Sequence, residues 1–134
     1  MGKNRLPKCN RLANRKHIQM LFRQGKILKL HPCTVFYLLQ KKELLLSNKV
    51  LFSASKRNFP SAVQRNKVKR LLREAYRINK YILDDALDTT RSKFVFLIGY
   101  VYTGKEEEIH YSIVNRAVIR SLQHFSALLD EELS

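Results

Sequence analysis

Residues 94–101, F-V-F-L-I-G-Y-V, are nearly all apolar. A run this short and this apolar reads as a central strand buried on both faces, so it needs a covered sheet around it. The other elements follow from local pattern. Residues 34–39 (T-V-F-Y-L-L) and 50–55 (V-L-F-S-A-S) are rich in β-branched and aromatic side chains and read as strands, with a shorter strand at 26–30. Asn14 caps a first helix whose apolar members are Ile18, Leu21 and Phe22, with Gly25 just past its end. Ser112 caps a last helix with Val114, Ala117, Val118, Leu122 and Phe125 along one face. Ser61 and Gln64 fit the S-x-x-Q capping box, so a middle helix starts near Ala62 and runs to about Leu83, before Asp84, Asp85 and Asp88. The order α-β-β-β-α-β-α in 134 residues points to one α+β domain, residues 1–134, an α-β sandwich with a single sheet of about four strands. Residues 1–10 and 130–134 read as flexible ends.

The middle helix carries the functional signal. Residues 64–77 read Q-R-N-K-V-K-R-L-L-R-E-A-Y-R, with six bases and a single acid, Glu74. Val68, Leu71, Leu72, Ala75 and Tyr76 recur at i, i+3, i+4, i+7 and i+8, which at ~100° per residue is one apolar stripe. Arg65, Lys69, Arg73 and Arg77, with Arg70, then occupy another face. Like charges at i, i+4 repel by about 0.2–0.5 kcal/mol per pair. Acids, which a helix N-terminus favours, are absent from its first half. A helix that tolerates these penalties presents its charge to an anionic partner.

The whole chain agrees. Its 26 bases against 11 acids give a net charge of +15, a potential that attracts polyanions. Residues 1–29 hold nine bases and no acid, a second electropositive zone that includes Arg11 and Arg15. Nucleic acid is the leading partner. A membrane is not expected, since no stretch approaches ~18 apolar residues in a row. Nothing at the N-terminus resembles a secretory signal. Cys9 and Cys33 stand apart, as in a reduced cytoplasmic protein. The four histidines have no ligand spacing, and the acids lie away from the basic helix, so no protein-borne active site or metal site is assigned. Asp84, Asp85 and Asp88 read as a solvated helix end rather than a metal cluster.

Residues 65–74, R-N-K-V-K-R-L-L-R-E, match every fixed position of the R-N-x-x-K-R-x-x-R-E motif. In this the chain resembles the bacterial ribonuclease P protein component. Ser55-Lys56-Arg57, Ala62-Val63, Arg11-Leu12 and Phe22-Arg23-Gln24-Gly25 are similar to further family signatures, so the resemblance covers about residues 5–128. It implies an α-β sandwich with a left-handed crossover around the basic helix. It implies a protein subunit that joins a catalytic RNA, one protein to one RNA, to remove the 5′ leader from precursor tRNA. The active site and its magnesium ions would belong mainly to the RNA, with no cofactor assigned to the protein. The RNA subunit would meet Arg65, Asn66, Lys67, Lys69, Arg70, Arg73 and Arg77, with Glu74 bracing Arg70 at i, i+4.

The resemblance also implies a cleft between the first helix and the sheet that holds the single-stranded leader. Its candidate lining is Ile18, Phe22, Phe36, Tyr37, Lys56 and Arg57. Phe36 and Tyr37 are neighbours in a strand, so only one can face the cleft. Two departures stand out. Ile18 replaces an aromatic that many members carry, and Asn58-Phe59-Pro60-Ser61 replaces a glycine-containing turn with one extra residue. The rival reading is a non-catalytic, ribosomal-type RNA-binding protein. Composition does not separate the two, and the motif favours ribonuclease P.

Overall fold

The structure, a computed structural model, describes residues 10–43 and 47–133, apart from the side chains of residues 132 and 133. Cys9 and the bases Lys3, Arg5 and Lys8 lie outside the described residues. The elements in order are α1 (Arg15–Gln24), β1 (Lys26–Leu30), β2 (Cys33–Lys41), β3 (Lys49–Ala54), α2 (Ala62–Asn79), α3 (Tyr81–Thr90), β4 (Phe94–Tyr102), a 3-10 turn (Glu106–Glu108) and α4 (Tyr111–Leu133). The four strands form one mixed sheet in the order β1-β2-β4-β3. β2 runs antiparallel to β1 and β4, whereas β3 and β4 are parallel and joined across the sheet by α2 and α3.

The apolar run is the central strand, as its composition required. Its alternate residues feed two separate cores. Phe96, Ile98, Tyr100 and Tyr102 join Val35, Tyr37, Val50 and Phe52 under α2, α3 and α4. Val95 and Leu97 face the other way and pack with Leu12 and Leu21 beneath α1, flanked by Ile18, Phe36, Leu38 and Leu51. The α1 side of the sheet is covered only in part, and Phe36, Leu38, Leu51 and Val101 on that face stay half-buried.

Three sequence expectations change. The middle helix does not run on to Leu83: it ends at Asn79, and residues 81–90 form a separate helix. Asn79 marks the junction. Its side-chain amide donates back to the Ala75 carbonyl at 2.8 Å and across to Asn115 of α4 at 2.7 Å. Such back-bonding competes with the helix ladder and bends it. The second change is at Ser61, which precedes α2 but makes no side-chain cap. Gln64 donates instead to Glu106 at 3.0 Å, so the capping box is not formed. The third is that α4 starts at Tyr111, which puts Ser112 within the helix rather than at its cap, and runs on to Leu133. Asn14 does cap α1, accepting from the N–H groups of Lys16 and His17.

Candidate nucleic-acid interface

The first site is a hollow of about 610 Å³ along the β3 edge. Residues 11–13 form one wall, held because Leu12 N–H donates to the Val50 carbonyl at 2.9 Å. The exposed flank of α2 forms the other. Arg11, Lys69, Arg70, Arg73 and Arg77 meet there, with Glu74 as the acid among them. Sequence reading kept Arg11 and the α2 bases in separate zones; the pairing of Arg11 with Val50 brings them together. Arg15, exposed at the start of α1, is not part of this lining.

The bases are not equivalent. Asn66, Lys67, Arg70 and Arg73 are exposed, whereas Arg65, Lys69 and Arg77 are half-buried. The Arg73 guanidinium lies 5.9 Å from the Phe52 ring centre, so the ring backs its charge. Arg65 departs from expectation. Its Nη1 donates to the Phe59 and Pro60 carbonyls, both at 2.7 Å, and so braces the loop before α2 with one arm of its fork. That loop is the one with the extra residue. It is anchored by Phe59, which is fully buried against Tyr102, and by Asn58, which donates to the Thr103 and Gly104 carbonyls. Glu74 also departs. It accepts two bonds from Arg77, at 2.6 and 3.2 Å, instead of bracing Arg70. Those bonds hold its carboxyl below the usual carboxylate range.

The second site lies where α1 leaves the sheet uncovered. Gly99, Phe36 and Leu51 are register partners across three strands. Phe22 of α1 reaches over them and meets Phe36 edge-on, with ring centres 4.7 Å apart. Phe22 is 40% exposed despite this contact. An ideal Cβ on Gly99 would stand 3.1 Å from Leu21 Cδ2 and 3.6 Å from Phe22 Cζ, so the missing side chain lets α1 come this close. Sequence reading missed Gly99, although an isolated glycine inside a central strand is a signal of close approach. Tyr37 does not join this site. It points to the opposite face, 8% exposed, with its ring 5.1 Å from Phe125. Ile18 is half-buried in the small core, while Lys56 and Arg57 are exposed in the turn after β3.

The family model for ribonuclease P matches residues 6–99. The ribonuclease P protein component of Porphyromonas gingivalis is 35% identical over 117 residues, 87% of this chain and 83% of that protein. That of Chlorobaculum tepidum is 32% identical over 124 residues, 89% of this chain and 80% of that protein. The chain belongs to the ribonuclease P protein component family. Its fold matches solved members. The ribonuclease P protein of Staphylococcus aureus superposes with a TM-score of 0.65 at 16% identity, covering 86% of this chain and 94% of that one. The protein from Thermotoga maritima gives 0.64 at 21% identity, covering 85% and 96%.

The acid in the basic hollow is occupied by Arg77. Asp84 sits elsewhere, beside Asn48, and burial raises its carboxyl above the ordinary 3.8. Among the described residues no three His, Cys, Asp or Glu side chains gather as a metal site would require. Cys33 is a buried free thiol, pushed up to about 12 by burial, and so remains protonated. No helix among the described residues is long and apolar enough to cross a membrane.

Proposed function

We propose that the hollow along the β3 edge docks the ribonuclease P RNA subunit, and that the cleft beside α1 holds the single-stranded leader of precursor tRNA. As a ribonuclease P protein component, the chain is a subunit of the endoribonuclease that processes the 5′ ends of tRNA. The observation that carries the docking assignment is the convergence of Arg11 with Lys69, Arg70, Arg73 and Arg77 in one open concavity. Guanidinium groups bind phosphate through paired N–H donors, and each neutralised phosphate releases counterions. Asn66, exposed beside them, offers a donor and an acceptor to an RNA edge or 2′-hydroxyl, and Lys67 adds charge. Arg65 and Arg77 act mainly by holding the loop and Glu74 in place.

The leader reading rests on Phe22 and Phe36. A half-exposed ring held by a second ring is a stacking surface for bases of any identity, worth ~1–3 kcal/mol per base. Lys56 and Arg57 supply charge for the leader backbone at the end of β3, and Ile18 contributes packing. Bringing two polyanions together is the main electrostatic cost of the reaction complex. Protein bases on both sides offset that cost and leave magnesium and the cleavage chemistry to the RNA. The working form is a single-domain protein paired one to one with the RNA, in the cytoplasm, where a free thiol such as Cys33 stays reduced.

Reconstitution tests this. The purified chain is mixed with ribonuclease P RNA and a precursor tRNA at low magnesium, and the mature 5′ end is mapped. A gain in 5′ processing is expected. No gain would sink the reading and revive a ribosomal-type RNA-binding role.

A further inference from the structure

The helix layer carries a second cationic surface that the docking hollow does not use. On α4, Arg116 and Arg120 are exposed and stand one turn apart. They line a hollow of about 140 Å³ with Leu30, His31, Ile113 and Ala117, where the β1–β2 turn meets α4. The same two arginines border Ser112, Asn115 and Gln123 on their other side. From Tyr111 to Leu129 the helix has no acid at all; its first is Asp130. Neither arginine makes a salt bridge or side-chain hydrogen bond among the described residues. The carboxylate near this hollow, on Glu108, is already taken by His31 and by the Lys105 N–H.

A solvated face would mix signs. This one sets two like charges at i, i+4, which repel by about 0.2–0.5 kcal/mol, and flanks them with neutral hydrogen-bonding side chains. The pair therefore matches an anion with repeated charge along its length. We propose that Arg116 and Arg120 form a second phosphate-backbone site for the RNA subunit that docks on α2. The proposal rests on the α2 docking assignment and extends it around the helix layer. Position favours the RNA subunit over the substrate. α4 packs directly on α2, with Asn115 bonded to Asn79 at the end of the basic helix. The leader cleft opens on the opposite side of the sheet, beneath α1.

The test uses the full chain and the intact RNA subunit, with the dissociation constant followed against salt. An Arg116→Ala/Arg120→Ala double variant is expected to lower the log–log slope by ~1.4–1.8, two phosphate contacts' worth. An Arg116→Lys/Arg120→Lys variant should recover most of that slope, which a purely structural role of the arginines would not produce. Thermal melts of both should match the parent chain. Unchanged slope and affinity in the alanine variant would overturn the proposal. So would a slope change seen only when the assembled holoenzyme binds precursor tRNA, since the occupant would then be the substrate. An Arg70→Ala/Arg73→Ala variant run alongside separates the failures. If it loses slope and the α4 variant does not, only the second site is wrong. If neither does, the docking assignment has failed as well.

Discussion

The hollow beside α2 and the cleft beside α1 differ in what holds them open. The hollow is built from charge. Its bases repel one another, and its walls are a helix flank and a short segment paired through its backbone with β3. The cleft is built from packing. Phe22 is fixed by Phe36 and by the absence of a side chain at Gly99, with Leu21 fully buried beneath. Electrostatic contacts of the first kind fade with salt, while stacking of the second kind does so far less. On the proposed assignments, one small protein grips two nucleic acids by separable means, one reporting to ionic strength and the other to the presence of bases.

The largest expected effect is on the charged side. Arg70→Ala combined with Arg73→Ala should weaken binding to the RNA subunit by at least ~100-fold, since each charge-assisted bond is worth ~1.5–3 kcal/mol. The salt slope should drop by ~1.4–1.8, as two lost phosphate contacts require. A weakening with the slope intact would mean that these residues act through packing, and the comparison would break. A smaller effect is expected at the packed side. Gly99→Ala forces Leu21 to yield by a few tenths of an ångström and should cost about 1 kcal/mol in denaturant unfolding. It should also loosen leader binding while sparing affinity for the RNA subunit. Loss of both affinities together would show that the two sites are mechanically coupled.

The smallest effect belongs to neither site. Burial raises the Asp84 carboxyl, so the folded chain holds that proton more tightly than the unfolded chain does. Stability therefore falls as pH rises through the window from 3.8 to the raised folded value, and the cost persists above it. Asp84→Asn should give a slightly higher Tm at pH 7, with the difference closing as pH falls through that window. A difference that does not change with pH would mean the Asn48 contact, not the buried charge, sets the effect.

The hollow was partly legible in the sequence because charge periodicity on a helix maps directly onto a face. Its Arg11 wall was not, since that depends on a bond to β3 from a segment with no regular pattern. Arg65 shows the limit of periodicity. It falls in step with Lys69 and Arg73, yet one arm of its fork, Nη1, is bonded to carbonyls of the preceding loop. In the cleft, alternation established that Phe36 and Tyr37 oppose each other but not which one faces α1. The register of β2 against β4, and the docking of Tyr37 on Phe125, decide that. The split of α2 from α3 was hidden because Asn79 breaks the helix through a partner thirty-six residues away.

The central claim, that the two sites serve different RNAs, is tested most directly with Phe22→Ala. Holoenzymes assembled with the parent chain and with the variant would be titrated with precursor tRNA that carries a leader and with the same tRNA lacking it. The expected result is that the variant loses ~1–3 kcal/mol of the leader's contribution, binds the leaderless tRNA as the parent does, and keeps its affinity for the RNA subunit. Equal losses for both tRNAs, or a loss of affinity for the RNA subunit in a variant that still folds, would contradict it.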